Sequence, residues 1–516
     1  MESLYWADQA CQRIIREKGD KKRYTVAAGI TPSGVVHIGN FREIITVDLV
    51  CRALASLGKQ VRFIYSWDDY DVLRKVPVNL PKQELLEKHL RMPISRIPDV
   101  FGCHASYAEH HEKAVEDALP AVGISPEFIS QTKRYQSCAY AEGMRTALEE
   151  TSAIMQILNK YRKEPLAEGW LPVTLFCERC SRDTATVTYP GDYTLSYTCS
   201  CGHRDTFDFR KKGIAKLKWR IDWPMRWEYE KVDFEPGGKD HSADGGSRMT
   251  GEEIVQQVFH HPPPTYQFYE FIGIKGGEQF SSSAGVATTL QDVLEVYTPE
   301  VVRFLFAGSR PNTEFSISFD LDVLKIYEDF DKCERVYYGK ERLANKKEEE
   351  QFRRIYEMSV VEKPAASLGF QPGFRHLTTV LQTYANDLER VRAFYGLKKK
   401  GDVVRLQARA ACAWRWLQKY APDDFRFTLQ EKADAAGLSE SQRKALRQVA
   451  KLLAADITEE QLYASFYSIS KELDMQPQEL FVAGYRVLLA KDRGPKLAPF
   501  IFIVGKERAR KMFERV

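Results

Sequence analysis

Residues 31–40 (TPSGVVHIGN) concentrate the residue types that hold phosphate. Thr31, Pro32, Ser33 and Gly34 form a turn-prone run, and His37, Gly39 and Asn40 open an apolar-periodic segment. Glycine lets backbone approach an anion, and the amides that open a helix point at it. His37 adds a side-chain donor for oxygens on which charge builds. The pattern reads as a phosphate pocket. The plainer alternative is a tight turn with an incidental histidine.

A second set lies at residues 238–248 (GKDHSADGGSR). Gly245 and Gly246 sit beside Asp240, His241 and Asp244, so carboxylates and an imidazole reach ribose hydroxyls or an ammonium. A solvated, turn-rich loop is the other reading. Upstream, Trp219, Trp223 and Trp227 recur every fourth residue, which on a helix makes one aromatic stripe. Pro224 interrupts that spacing and predicts a strand or irregular turn. Trp219 is expected to face a ligand, and Trp223 or Trp227 to be core. Cys177, Cys180, Cys199 and Cys201 form two close pairs on a β-rich segment. Their spacing suits a closed, tetrahedral structural Zn²⁺ site, with His203 as an alternate ligand. A metal-free knuckle of reduced thiols is the competing reading. The other cysteines (Cys11, Cys51, Cys103, Cys138, Cys333 and Cys412) are scattered and read as reduced, buried thiols.

The elements that must position these groups follow from periodicity. Residues 24–30 (YTVAAGI) read as a buried strand, 41–57 as a helix, and 61–65 as a strand ending in SWDDY. Doubly wound α/β folds place ligands just beyond strand carboxyl ends. The α/β pattern over residues 1–90 is interrupted by a stretch at 91–215, with helices over 107–121 and 139–161 and the cysteine segment. It resumes over 216–300, with a strand predicted at 266–274. Beyond, the pattern is helical, at 301–360 and again at 361–516, with helices near 321–338, 377–395, 405–420, 442–454 and 461–472 and a loop at 398–402.

At 516 residues the chain is long enough for several cores, and 44% hydrophobic with 28% charged residues is the balance of a soluble protein. A net charge of +4 neither demands nor excludes nucleic acid. No apolar run approaches the roughly 18–20 residues that span a bilayer. The first residues read as a charged amphipathic helix without a signal-peptide core. The expected location is the cytoplasm, away from membranes.

Five collinear stretches, TPSGVVHIGN, SWDDYDVLRKVP, WRIDWPMRW, GKDHSADGGS and YEFIGIKGG, resemble those of class I lysyl-tRNA synthetases. The first is similar to the HIGH signature, with Asn40 in place of the last histidine. The resemblance runs from about residue 20 to the C-terminus. It implies a Rossmann-type parallel-sheet catalytic domain, an inserted acceptor-stem region, a stem-contact helical region at 301–360 and an all-α anticodon-binding domain. It implies a monomer that activates L-lysine with ATP and Mg²⁺ and transfers it to the 3′ end of tRNA(Lys). By motif position, Gly29, Thr31, Trp219, His241 and Tyr269 would line the lysine pocket. His37, Gly39 and Asn40 would contact ATP with the 31–34 turn, Asp240, Asp244, Gly245 and Gly246, and His37 and Asn40 would act in catalysis.

The chain departs from the family at the loop that usually reads KMSKS. GGEQFSSSAG places Gln279 where the first lysine stands, leaving Ser281, Ser282 and Ser283, with Lys275 nearby, to hold phosphate and take the catalytic role. The missing lysine keeps two alternatives open: a paralogue with weak or no charging that binds RNA, and an enzyme that passes lysine to another acceptor. Lys398, Lys399, Lys400, Trp414, Arg415, Trp416, Arg493 and Lys496 could hold phosphates or stack on splayed anticodon bases, or simply be solvated faces and core.

Overall fold

The computed structural model describes residues 4–77, 80–276 and 287–516, which divide into two compact units. The first comprises the described residues up to Val293 with 299–317 and 342–364, and the second comprises 294–298, 318–341 and 365–516.

The first unit is built on five parallel strands: β1 Arg23–Ile30, β2 Gln60–Trp67, β3 Glu127–Ser130, β4 Phe234–Gly238 and β5 Thr265–Tyr269. Their spatial order is β5-β4-β1-β2-β3. The order reverses between β1 and β4, so a crevice opens beyond their carboxyl ends. Tyr24, Val26, Ala27 and Ala28 of β1 are all buried, as a central strand covered on both faces requires. The Ile38–Ser56 helix crosses from β1 to β2 and buries Ile38, Phe41, Ile44, Ile45 and Val47. The edge strand β3 comes from the 91–215 stretch, which therefore supplies part of the sheet as well as interrupting it. The cysteine segment forms a three-stranded antiparallel ribbon, Ala185–Gly191, Thr194–Cys199 and Arg204–Asp208.

Several elements differ from the sequence expectation. Pro224 lies inside a helix, Trp219–Glu230, not a strand or turn. Only the bond to the Arg220 carbonyl is lost to the proline, and burial of Ile221, Met225 and Trp227 outweighs it. The strand expected over 266–274 divides at Glu270, whose N–H donates to the Pro311 carbonyl at 2.8 Å. Ile272–Ile274 then pairs with Phe315–Ile317 in a separate sheet. The 139–161 helix is two helices, Ala141–Glu149 and Thr151–Asn159. The 377–395 helix is also two, Phe374–Thr383 and Leu388–Phe394, separated by left-handed Ala385 and Asn386. The Lys400–Lys419 helix begins within the loop expected at 398–402. Cys11, Cys333 and Cys412 are buried as expected, Cys51 and Cys138 are intermediate, and Cys103 is exposed.

The second unit is helical around a core that includes Leu446, Leu462, Phe466, Leu480, Val487, Phe500 and Phe513. Trp416 is fully buried and donates its Nε1–H to the Phe319 carbonyl at 2.9 Å, so it is core and not a base-stacking surface. Among the described residues no helix is long and apolar enough to cross a membrane.

The buried Arg303 ties the crossover helix of the first unit to two other segments. It donates to Asp48 at 2.7 Å and to the carbonyls of Val122 and Met358, each at 2.9 Å. Arg303→Met leaves Asp48 with Arg52 alone and strips two carbonyls of their donor. The first unit should lose about 3 kcal/mol of stability, measured by urea unfolding, and a loss under about 1 kcal/mol would contradict this role.

Candidate active site

A cavity of about 550 Å³ opens over the carboxyl ends of β1, β2, β4 and β5. Gly29, Thr31, Ser33, His37, Gly39 and Asn40 line one side, and Trp219, Asp240, His241 and Tyr269 the other. The structure thus brings together residues from both loops singled out in the sequence. Pro32 and Gly34 are buried outside the lining, and Asp244 is exposed away from it. Gly245 borders a neighbouring cavity, and Gly246 packs so tightly that a Cβ there would meet the carbonyl oxygens of Ala243 and His241 at 2.6 Å. Gln279, Ser281, Ser282 and Ser283 lie outside the described residues.

The inner surface of the cavity is made by close strand packing and shared carboxyls. A Cβ on Gly29 would lie 2.8 Å from the Ser66 carbonyl oxygen, so only glycine fits at this end of β1. The Gly29 N–H donates to Glu43 Oε1 at 3.0 Å, and the Tyr269 hydroxyl donates to Glu43 Oε2 at 2.7 Å. Burial pushes the Glu43 carboxyl up to about 8, although both of these bonds pull it down. Glu235 is buried and accepts the indole N–H groups of Trp223 and Trp227. Burial pushes it up to about 7, against those two donors. Trp219 and Trp223 stack at 5.7 Å between centroids, and the His241 ring lies 5.6 and 5.8 Å from them. Trp227 is 3% exposed. The result is an aromatic-walled recess with two carboxyls held near neutrality. A cation that enters it replaces the lost hydration of a carboxylate.

The other side is the 31–40 turn. His37 is the N-cap of the Ile38–Ser56 helix, and its N–H donates to Asn40 Oδ1 at 3.1 Å. Asn40 in place of histidine therefore does local work, satisfying an amide at the helix start. Burial lowers the His37 pKa, which favours the neutral imidazole. Thr31 donates to Asp71 at 3.0 Å, and Asp71 is paired with Lys216. Asp68 also lines the cavity and pairs with Arg226 at 2.7 Å.

Sequence reasoning missed Glu43, Glu235 and Arg226, whereas Asp68 lies in the SWDDY stretch, just beyond a strand end where ligands were expected. Glu43 carried a readable signal, as an acid one helical turn after Asn40 in a helix that the sequence places directly behind the phosphate-type turn. Glu235 and Arg226 gain their positions from tertiary packing.

Beside this cavity, a second of about 830 Å³ is bordered by Arg74, Arg91, Arg162, Lys218 and Arg220 and shares Trp219. On the β ribbon the Cys177 and Cys201 sulfurs are 3.7 Å apart and those of Cys180 and Cys199 3.6 Å, with all four within 4.8 Å of one another. These are the edges of a small tetrahedron and fit a metal ion of zinc's size. His203 is not part of that group.

The family profile of tRNA synthetases class I (K) matches residues 4–362. A lysine–tRNA ligase of Borreliella burgdorferi is 48% identical over 518 residues, covering 99% of this chain and 99% of that one. One of Treponema pallidum is 46% identical over 519 residues, covering 99% and 98%. An archaeal one, from Thermococcus kodakarensis, is 40% identical over 520 residues, covering 98% of each.

The raised Glu43 carboxyl makes stability pH-dependent. Between its ordinary value of 4.5 and about 8 only the folded chain holds the proton, so rising pH removes stability. Wild-type protein should lose stability relative to Glu43→Gln from about pH 5 to about pH 8, read as urea midpoints. A pH-independent gap between the two would refute the shift.

Proposed function

The chain belongs to the class I (K) tRNA synthetases, and from that premise we propose that it joins L-lysine to tRNA(Lys) in an ATP-dependent reaction. The observation that carries this reading is the pair of carboxyls, Glu43 and Glu235, in an aromatic recess at the switch point beside the 31–40 turn. Such a recess suits a long aliphatic amine. The lysine ammonium approaches Glu43 and the Tyr269 hydroxyl, while Trp219 and His241 cover its methylenes. Gly29 and Thr31 line the amino-acid end. His37, Gly39 and Asn40 hold the nucleotide with the 31–34 turn, and Asp240 reaches the ribose. Asp244, Gly245 and Gly246 keep a supporting part as the bend that aims Asp240 and His241.

ATP enters as its Mg²⁺ complex. The lysine carboxylate attacks the α-phosphorus in line, forming the P–O bond of lysyl-adenylate as pyrophosphate leaves. A ribose hydroxyl of the terminal adenosine of tRNA then attacks the lysyl carbonyl, its proton departs, and AMP leaves. No side-chain nucleophile is needed, because positioning and charge stabilisation carry the reaction. His37 and the helix-start amides stabilise the phosphate charge, and Ser281, Ser282 and Ser283 contribute the other arm.

The cavity bordered by Arg74, Arg91, Arg162, Lys218 and Arg220 takes the phosphates of the tRNA acceptor end. Cys177, Cys180, Cys199 and Cys201 hold a Zn²⁺ ion that folds the ribbon. In the second unit, Tyr463 and Tyr467 are 50% and 45% exposed one turn apart and offer a face for anticodon bases. The regions expected from the sequence keep their roles: 1–90 and 216–300 catalytic, 91–215 for the acceptor stem, 301–360 for stem contact and 361–516 for the anticodon. The working form is a cytoplasmic monomer.

Zinc-replete protein should catalyse lysine-dependent ATP–pyrophosphate exchange, prefer lysine to ornithine and arginine, and charge tRNA with a UUU or CUU anticodon. Absence of both activities would overturn the reading. Exchange without charging would point to another acceptor. Glu43→Gln should raise the KM for lysine roughly 10–100-fold, the worth of a hydrogen bond to a charged group, with the KM for ATP unchanged.

A further inference from the structure

Thr31 lines the recess, and its hydroxyl hydrogen is already committed. The Thr31 Oγ1–H donates to Asp71 Oδ2 at 3.0 Å. Asp71 Oδ1 in turn takes the ammonium of Lys216, which is 4% exposed. Lys216 comes from a distant part of the chain. It stands opposite Thr174 in the antiparallel pair Val173–Leu175 and Ala215–Leu217, the two strands between which the cysteine ribbon is inserted.

Lys216 belongs to a close set of charges. Its Nζ lies 3.9 Å from Asp222 Oδ2, Arg226 Nε lies 3.6 Å from the same oxygen, and Arg226 Nη1 reaches Asp68 Oδ1 at 2.7 Å. Tyr135 donates its hydroxyl to Asp222 and accepts the Leu217 N–H at 3.2 Å, which fixes the strand that carries Lys216. Asp68, Asp71 and Asp222 thus share the two cations Lys216 and Arg226, and the set has room for one more positive charge. Burial works against ionisation of Asp71, but the Lys216 charge and hydrogen bond, with the Thr31 hydroxyl, hold its carboxyl below its ordinary value. An ionised carboxylate has no hydrogen to give. The Thr31 hydrogen therefore stays on the Asp71 side, and the Thr31 oxygen offers the recess lone pairs alone. Such an atom takes an ammonium and repels a carboxylate.

We propose that Lys216 is a positioning residue that holds the Thr31 hydroxyl as an acceptor for the α-ammonium of the amino-acid substrate. The inference rests on the lysine-activating reading above and adds the direction in which lysine lies. With its ε-ammonium at Glu43 and its α-ammonium at Thr31, lysine turns its remaining group, the carboxylate, toward His37 and the nucleotide. That is the end that must reach the α-phosphorus. Lys216 itself touches no substrate atom. A neutral side chain in its place leaves Asp71 to take up a proton, and the protonated acid donates to Thr31. The Thr31 hydrogen then swings into the recess and meets the ammonium head-on.

The test compares lysine with 6-aminohexanoic acid, which lacks only the α-ammonium, by titration calorimetry on the full-length protein. Wild type should bind lysine about 10–100-fold more tightly than 6-aminohexanoic acid, the worth of a hydrogen bond to a charged group. Lys216→Met should cut that ratio to about 3 or less by weakening lysine, with 6-aminohexanoic acid bound as in wild type. Thr31→Val should do the same, and the double variant should lose nothing further, because both changes act on one hydrogen bond. Thr31→Ser, which keeps the hydroxyl, should keep the ratio. Asp71→Asn removes the charge that Lys216 sustains and should also lose the ratio, so a Lys216→Met protein that fails to fold does not blunt the test. Equal weakening of both ligands in Lys216→Met, or an undiminished ratio in folded Lys216→Met or Asp71→Asn, would overturn the proposal. Wild type that binds both ligands alike would overturn it and leave lysine activation standing. Wild type that binds neither would overturn the lysine reading itself, and this inference with it.

Discussion

Glu43 sits where three elements meet. Its carboxyl hangs from the Ile38–Ser56 helix and takes the Gly29 N–H from the end of β1 and the Tyr269 hydroxyl from the end of β5. These contacts set the separation of the helix and the two strands, and hence the shape of the recess. Two donors do not repay the loss of water around a full charge, which is why the carboxyl is pushed up to about 8. The recess is thus arranged for a positive group. In the proposed reaction the lysine ammonium would supply the charge that the protein withholds, and discrimination would follow, because a shorter or neutral side chain leaves the carboxyl uncompensated.

The same constraint reaches the 31–40 turn. Gly29 is in place only because β1 and β2 approach closely enough to exclude a Cβ against the Ser66 carbonyl. Two residues later Thr31 is fixed by Asp71, itself held by Lys216, and the turn ends where His37 and Asn40 cap the helix that carries Glu43. The recess and the turn are therefore opposite ends of one β-turn-helix unit. A shift in either is carried to the other by backbone, without a relay of side chains.

The parallel sheet, the crossover helix and the helical second unit were legible because their apolar periodicity is strong. Both loops that line the cavity were legible as well, since glycine, histidine and aspartate clusters stand out from such elements. Local rules failed where packing overrode them. Pro224 argued against a helix, yet its position near the helix start loses one backbone bond while the indoles beside it gain a wall. The strand expected over 266–274 broke at Glu270, where contacts with residues more than forty positions away redirect the chain. Glu235 and Arg226 gave no signal because a charged residue within a strand or helix reads as solvated, whereas Asp68 stood in the SWDDY stretch beyond a strand end. Cys103 misled for the opposite reason: it was counted singly, and His104 and His110 fold onto it through a loop and a helix turn.

Charge balance at the phosphates is the last link. Burial lowers the His37 pKa and so favours an imidazole that offers a hydrogen bond over one that carries a full charge. The sequence places Gln279 where a lysine of the second phosphate loop would stand in the resembled family. Loss of one preorganised donor to a transition-state charge is worth about 2–4 kcal/mol. In the proposed reaction that deficit falls on the helix-start amides and on the Mg²⁺ that arrives with ATP, both of which act wherever the 31–40 turn is held rigid. The Tyr107–Ser33 bond, the Thr31–Asp71–Lys216 chain and the Asn40 cap all hold it. In that reaction a chain that brings less charge to the phosphates depends more on the stiffness of the turn proposed to bind them.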